Sequence, residues 1–213
     1  MKRLLILLVL CGCSDAAVAR KDPDDPDTRT KAAAVLELQD EIDAGRVGLV
    51  DAWGNGSSSG ASITGSIINR STSEIRVAVR LRRPMYLANS GRGQNMIALQ
   101  VYLSDRSYFR GETEDFISLP PGATTKVIFI AFCMDFDKDN PTADESFRVS
   151  SPLSGIPTVV RRGEEYLAAN HESDPIAAVQ AAIWLAQGVE LADIRTRFPL
   201  TAADESVAMS LIR

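Results

Sequence analysis

Thr124–Pro141 reads TTKVIFIAFCMDFDKDNP, and its two halves have opposite characters. Residues 125–134 are apolar at both odd and even positions, which predicts a central strand covered on each face rather than a half-wet edge. Residues 135–139 alternate aspartate with other residues, so the chain leaves the core abruptly. Between the halves stands Cys133.

Working outward, the period of two recurs. Ile75, Val77, Val79 and Leu81 alternate with Arg76, Ala78, Arg80 and Arg82, the pattern of a strand with one buried and one wet face. Ile97, Leu99, Val101 and Leu103 repeat it after the turn signal Asn89–Gly93. Phe116–Leu119 forms a short strand before Pro120-Pro121-Gly122, a tight turn. Ser62–Asn69 is β-like as well. Strands at this spacing, without helices between them, predict a mostly β protein with α: an immunoglobulin-like antiparallel β-sandwich over 61–150, followed by a C-terminal helical appendage over 151–213.

The flanks read differently. A helix is expected over Thr28–Ala44, capped by Asp27 and stopped by Gly45, and then a short apolar piece, Val47–Trp53. Gly54–Gly60 (GNGSSSG) reads as a flexible joint, so 28–60 is expected to be helix and joint. In the appendage a short helix is expected around Glu164–Ala169. Asp174-Pro175 starts a helix that Gly188 stops. A last helix runs over Thr201–Ile212, with Asp204 placed for a capping box.

The N-terminus carries Lys2 and Arg3, then apolar Leu4–Leu10, then Leu10-Cys11-Gly12-Cys13. A basic start and an apolar run of this length read as a secretory signal, too short for a permanent span. Leu-x-Gly-Cys resembles the lipobox of bacterial lipoproteins. The resemblance implies a signal peptide over 1–12, a diacylglycerol on the Cys13 sulfur and a membrane anchor. Ser14 after the cysteine implies outer-membrane sorting if the cell is Gram-negative. The alternative is an ordinary secreted chain cleaved near Ala16–Ala19. Residues 13–27, polar and broken by Pro23 and Pro26, then form a tether.

Loss of Lys2 and Arg3 takes the 23 basic side chains to 21 against 28 acidic ones, a net of −7. That balance argues against nucleic acid as a partner. Of three cysteines, Cys11 leaves with the signal and Cys13 is acylated, so Cys133 has no intramolecular disulfide partner. His171 is the single histidine, which excludes histidine-rich zinc sites and obliges any Ser-His-Asp triad to use it. No Walker loop or Gly-x-Gly-x-x-Gly occurs. Conventional hydrolase or nucleotide chemistry is not expected, and the chain reads as a non-catalytic binding or scaffolding module for another envelope protein or glycan.

Three constellations remain. On the helix after Pro175, Ile176, Val179 and Ile183 define an apolar arc, and Gln180 falls between them and Trp184. A buried glutamine must find partners, through the backbone or elsewhere. Phe132-Cys133 together with Gln180-Ala181-Ala182-Ile183-Trp184 is similar to the paired motifs of bacterial surface thioester domains. That resemblance implies an internal thioester between Cys133 and Gln180, supported by Phe132 and Trp184, able to acylate an amine on a partner. Val179 stands where that family has threonine. The alternative is a small buried cysteine and a satisfied core amide. Asp135, Asp137 and Asp139 have the spacing that opens a calcium loop, the one cofactor the chain suggests. Against it, Asn140 occupies the glycine position, and Glu145 falls one residue short of the twelfth. Arg76, Arg80 and Arg82 form a stripe that suits a sulfated glycan or phosphate, or else the wet face of a sheet.

Overall fold

The computed structural model describes residues 34–105, 115–150, 157–170 and 175–213. The signal peptide, Cys13, the tether, residues 28–33 of the helix expected from Thr28, the cap Asp174 and His171 lie outside the described residues. What is described is mostly β, with two sheets and a set of helices.

The large sheet has six strands. In chain order they are β2 (Val47–Gly54), β3 (Ser59–Asn69), β5 (Arg80–Asn89), β6 (Met96–Leu103), β8 (Thr124–Cys133) and β9 (Phe147–Ser150). Across the sheet they run β2-β3-β8-β6-β5-β9, all neighbours antiparallel. An antiparallel bridge between Trp53 and Ser146 brings the two outer strands together and makes the sheet nearly barrel-shaped. The small sheet is β1 (Val35–Leu36), β4 (Ile75–Ala78) and β7 (Phe116–Leu119), with β1 parallel and β7 antiparallel to β4.

β4 and β5 are one extended run passing from the small sheet to the large one. At the crossing, Val79 donates its N–H to the Asp115 carbonyl, while its own carbonyl accepts from Val101. Ile75, Val77, Val79 and Leu81 are buried and Arg80 and Arg82 exposed, as the period of two requires. β8 lies between β3 and β6, the central place its two-sided apolarity predicts, and Val127, Phe129, Ile130, Ala131, Phe132 and Cys133 are all buried.

Several expectations are corrected. The helix expected over Thr28–Ala44 is, in its described part, the short strand β1 and then only α1 (Leu38–Asp43). Val35 and Leu36 pair with Arg76 and Val77, so sheet pairing overrides the helical spacing of Val35, Leu38 and Ile42. Gly54–Gly60 is no joint between units. Its residues 55–58 are the loop joining β2 to β3 and the rest belong to the two strands, so the β region begins well before Ala61. Within it the Asn55 side chain accepts from the Ser57 N–H and donates to the Ala61 carbonyl, which orders the turn.

Four helices follow: α2 (Pro157–Ala169), α3 (Ile176–Ala186), α4 (Leu191–Arg197) and α5 (Ala202–Leu211). α2 begins earlier than the expected Glu164. Gly188, at φ 87°, ends α3, and Thr201 with Asp204 forms the expected capping box on α5. α2 and α3 pack so closely that a Cβ on Gly163 would stand 3.0 Å from Val179 Cγ1. Arg162 donates to the Leu211 carbonyl at 3.0 Å, satisfying one open acceptor at the end of α5.

Candidate functional site

β8 delivers Cys133 to the end of the central strand, and α3 delivers Gln180 onto it. Both residues are wholly buried. The Gln180 amide lies against the Cys133 main chain. Its Oε1 accepts from the Cys133 N–H at 2.9 Å, and its Nε2 donates to the Cys133 carbonyl at 2.9 Å. The same N–H also reaches the Ser58 carbonyl at 2.9 Å. A primary amide presents a donor and an acceptor side by side, so Gln180 meets the N–H and C=O of Cys133 much as a residue of an antiparallel neighbouring strand would. The Cys133 sulfur lies 3.4 Å from Met96 Sδ on the adjacent strand. Burial, reinforced by Asp135, pushes the thiol pKa up to about 12, so it stays protonated through the neutral range.

Trp184, one turn beyond Gln180, is boxed by edge-on rings of Phe136 at 5.2 Å and Phe198 at 5.6 Å. Arg197 lies over Phe136 and donates to the carbonyls of Phe136 and Lys138. Phe132 is buried within β8. The structure therefore brings together all four residues of the thioester constellation, with the amide atoms of Gln180 engaged by main chain and the sulfur beside a thioether.

The acidic exit behaves otherwise. Asp135 Oδ2 accepts from the Asn95 N–H and Nδ2, each at 2.8 Å, and from Lys138 Nζ at 3.0 Å. Asp137 and Asp139 are exposed. Among the described residues no three His, Cys, Asp or Glu side chains converge as a metal would need. Glu145, the residue one short of the calcium position, instead accepts from Arg92, Gly93 and Thr142 N–H groups and from Asn89 Nδ2. These donors hold its pKa down, at about 2, and clamp the β5–β6 turn to the segment before β9.

The arginine stripe is divided by the crossing between sheets. Arg76 stays on the small sheet, paired with Glu74 and lying over Phe116. Arg80 and Arg82 lie on β5 and line a cleft of about 550 Å³ between α1, β5 and α2. Arg83, Pro84 and Tyr86 of β5, Gln39 of α1, and Arg161, Glu164 and Glu165 of α2 share it. Arg80 makes a bidentate pair with Glu164 at 2.6 and 2.7 Å, Arg83 reaches Asp40 and Asp43, and Arg161 pairs with Glu165. Arg82 is exposed and has no ion-pair partner among the described residues.

Gln39 is only 6 % exposed. Its Nε2 donates to Asp43 Oδ1 at 2.8 Å, an orientation fixed because a carboxylate can only accept. Its Oε1 is left without a partner. An unmet buried acceptor of this kind costs about 1–3 kcal/mol. Gln94 Oε1, an acceptor, and Trp184 Nε1, a donor, are the other buried side-chain polar atoms without a partner among the described residues. Gln39 and Arg161 were not singled out in the sequence, because neither belongs to a local pattern. Ser58 falls in Gly56-Ser57-Ser58-Ser59-Gly60, the spacing of a nucleophile elbow. That elbow requires a strand-to-helix turn, whereas Ser58 sits in the loop between two strands.

The chain matches no protein-family model, no curated protein and no solved structure.

Proposed function

We propose that this chain is a cell-envelope lipoprotein, anchored through Cys13, whose β-rich domain binds or scaffolds another envelope component without turnover. The observation that carries the reading is Leu10-Cys11-Gly12-Cys13 at the end of a basic-then-apolar start, followed by a polar segment. The interior supports a binding role: the buried thiol is held protonated, and a cleft of ligand size opens beside several guanidinium groups. An immunoglobulin-like sandwich is part of the same proposal, supported by the single run that crosses between sheets at Val79. Growth with an alkyne analogue of palmitate tests the anchor. The full chain should take up the label and fractionate with membranes, and Cys13→Ala should abolish both. An unlabelled mature chain beginning between Ala16 and Ala19 would refute it.

A second reading is favoured by one observation, the Gln180 amide seated on Cys133. In it the Cys133 sulfur attacks the Gln180 amide carbon, ammonia leaves carrying the thiol proton, and a partner amine later displaces the sulfur as a thiol to leave an amide. Intact mass decides. The reading requires a chain lighter by one ammonia, a loss abolished in Cys133→Ala, and an unshifted mass refutes it.

A further inference from the structure

The cleft between α1, β5 and α2 combines features that the fold itself does not use. Among the described residues Arg82 is a cation without a partner, on a strand whose other cleft-lining arginines are paired across to α1 or α2. Gln39 Oε1 is a buried acceptor without a donor among the same residues. Glu164 and Glu165 add acceptor oxygens, and Leu81, Pro84 and Val160 supply apolar wall. We propose that this cleft binds a small acidic saccharide, its carboxylate or phosphate on Arg82 and one of its hydroxyls donated to Gln39.

The lining selects this class over its competitors. A simple oxyanion would satisfy Arg82 but offers nothing to Gln39, and fills little of about 550 Å³. A polyanion such as nucleic acid meets two glutamates in the lining and a chain of net charge −5. A neutral sugar gives donors but leaves the guanidinium unanswered. An acidic sugar answers both, since a guanidinium takes a carboxylate or phosphate in a bidentate fork and the hydroxyls supply donors in several directions. The volume suits one or two sugar rings.

The proposal rests on the binding-module reading but not on the lipid anchor, so the two fail separately: palmitate labelling reports on one and ligand binding on the other. The test is thermal and calorimetric titration of the full chain with glucuronic acid, glucose 6-phosphate, glucose and inorganic phosphate. The expected result is saturable binding of at least one acidic sugar, with a raised Tm. Glucose and phosphate should bind at least about tenfold more weakly. Arg82→Ala should reduce acidic-sugar binding about tenfold or more, Arg82→Lys should recover part of it, and Gln39→Leu should weaken it without lowering the Tm of the free chain. Absence of binding by both acidic sugars, equal binding of phosphate alone, or undiminished binding in Arg82→Ala would each overturn the proposal.

Discussion

The Cys133–Gln180 junction and the α1–β5–α2 cleft each bury a glutamine, and the amide atoms meet different fates. Gln180 has donor and acceptor both engaged by the main chain of one residue, Cys133. Gln39 has its donor engaged and its acceptor orphaned, in a cleft it shares with Arg82, which is also unpaired among the described residues. Buried polar groups that are fully met hold a fold together. Those left half-met beside an open cleft are where a ligand can gain what the protein has forgone. The junction is therefore expected to be structural, and the cleft to be where the molecule spends little stability and gains recognition.

Substitutions can break that contrast. The largest effect should come from Trp184→Ala, which empties a buried indole site beside the junction and should cost about 3–5 kcal/mol in urea unfolding. Gln180→Leu comes next. It strands the Cys133 carbonyl, and a loss of about 1–3 kcal/mol is expected, together with faster reaction of the Cys133 thiol with a maleimide. Arg80→Ala should cost about 1 kcal/mol, because the bidentate partner Glu164 is only 7 % exposed while the arginine is half in solvent. A double cycle with Glu164→Gln should recover most of that as coupling.

The Glu145 clamp should show as pH dependence. Its folded pKa is lowered to about 2 from an ordinary 4.5, so its contribution is present above pH 4.5 and is lost as pH falls toward 2. Glu145→Gln should flatten the stability profile in that window, and an unchanged profile would exclude the clamp. Arg82→Ala should have the smallest effect, within about 0.5 kcal/mol. If it destabilised the fold as Arg80→Ala does, the distinction between structural and recognition arginines on β5 would collapse.

The sequence makes some of this legible and conceals the rest for physical reasons. β8 is readable because a strand buried on both faces needs an unbroken apolar run. β7 is readable because its turn residues are explicit, and α5 because its capping box is written in Thr201 and Asp204. The facing of Gln180 toward Cys133 is foreshadowed by the helical wheel, whereas the docking on main chain is not, since a wheel gives direction and not depth. β2 is hidden because Gly48, Asp51 and Gly54 interrupt its pattern. β9 has four residues with only Phe147 buried, too few to register a period. The cleft is least legible of all: Gln39, Arg82 and Arg161 lie on three separate elements, and only the tertiary fold gathers them.

The amide of Gln180 also bears on how the molecule opens. A side chain 47 residues away in sequence supplies main-chain hydrogen bonds at the end of β8, sharing the Cys133 N–H with the Ser58 carbonyl. Such a link closes a long loop, so it forms after the local hairpins and is lost with the domain as a whole. The Cys133 amide proton should accordingly exchange with solvent only through global unfolding, giving a single-residue gauge of whether helices and sheet melt as one cooperative unit.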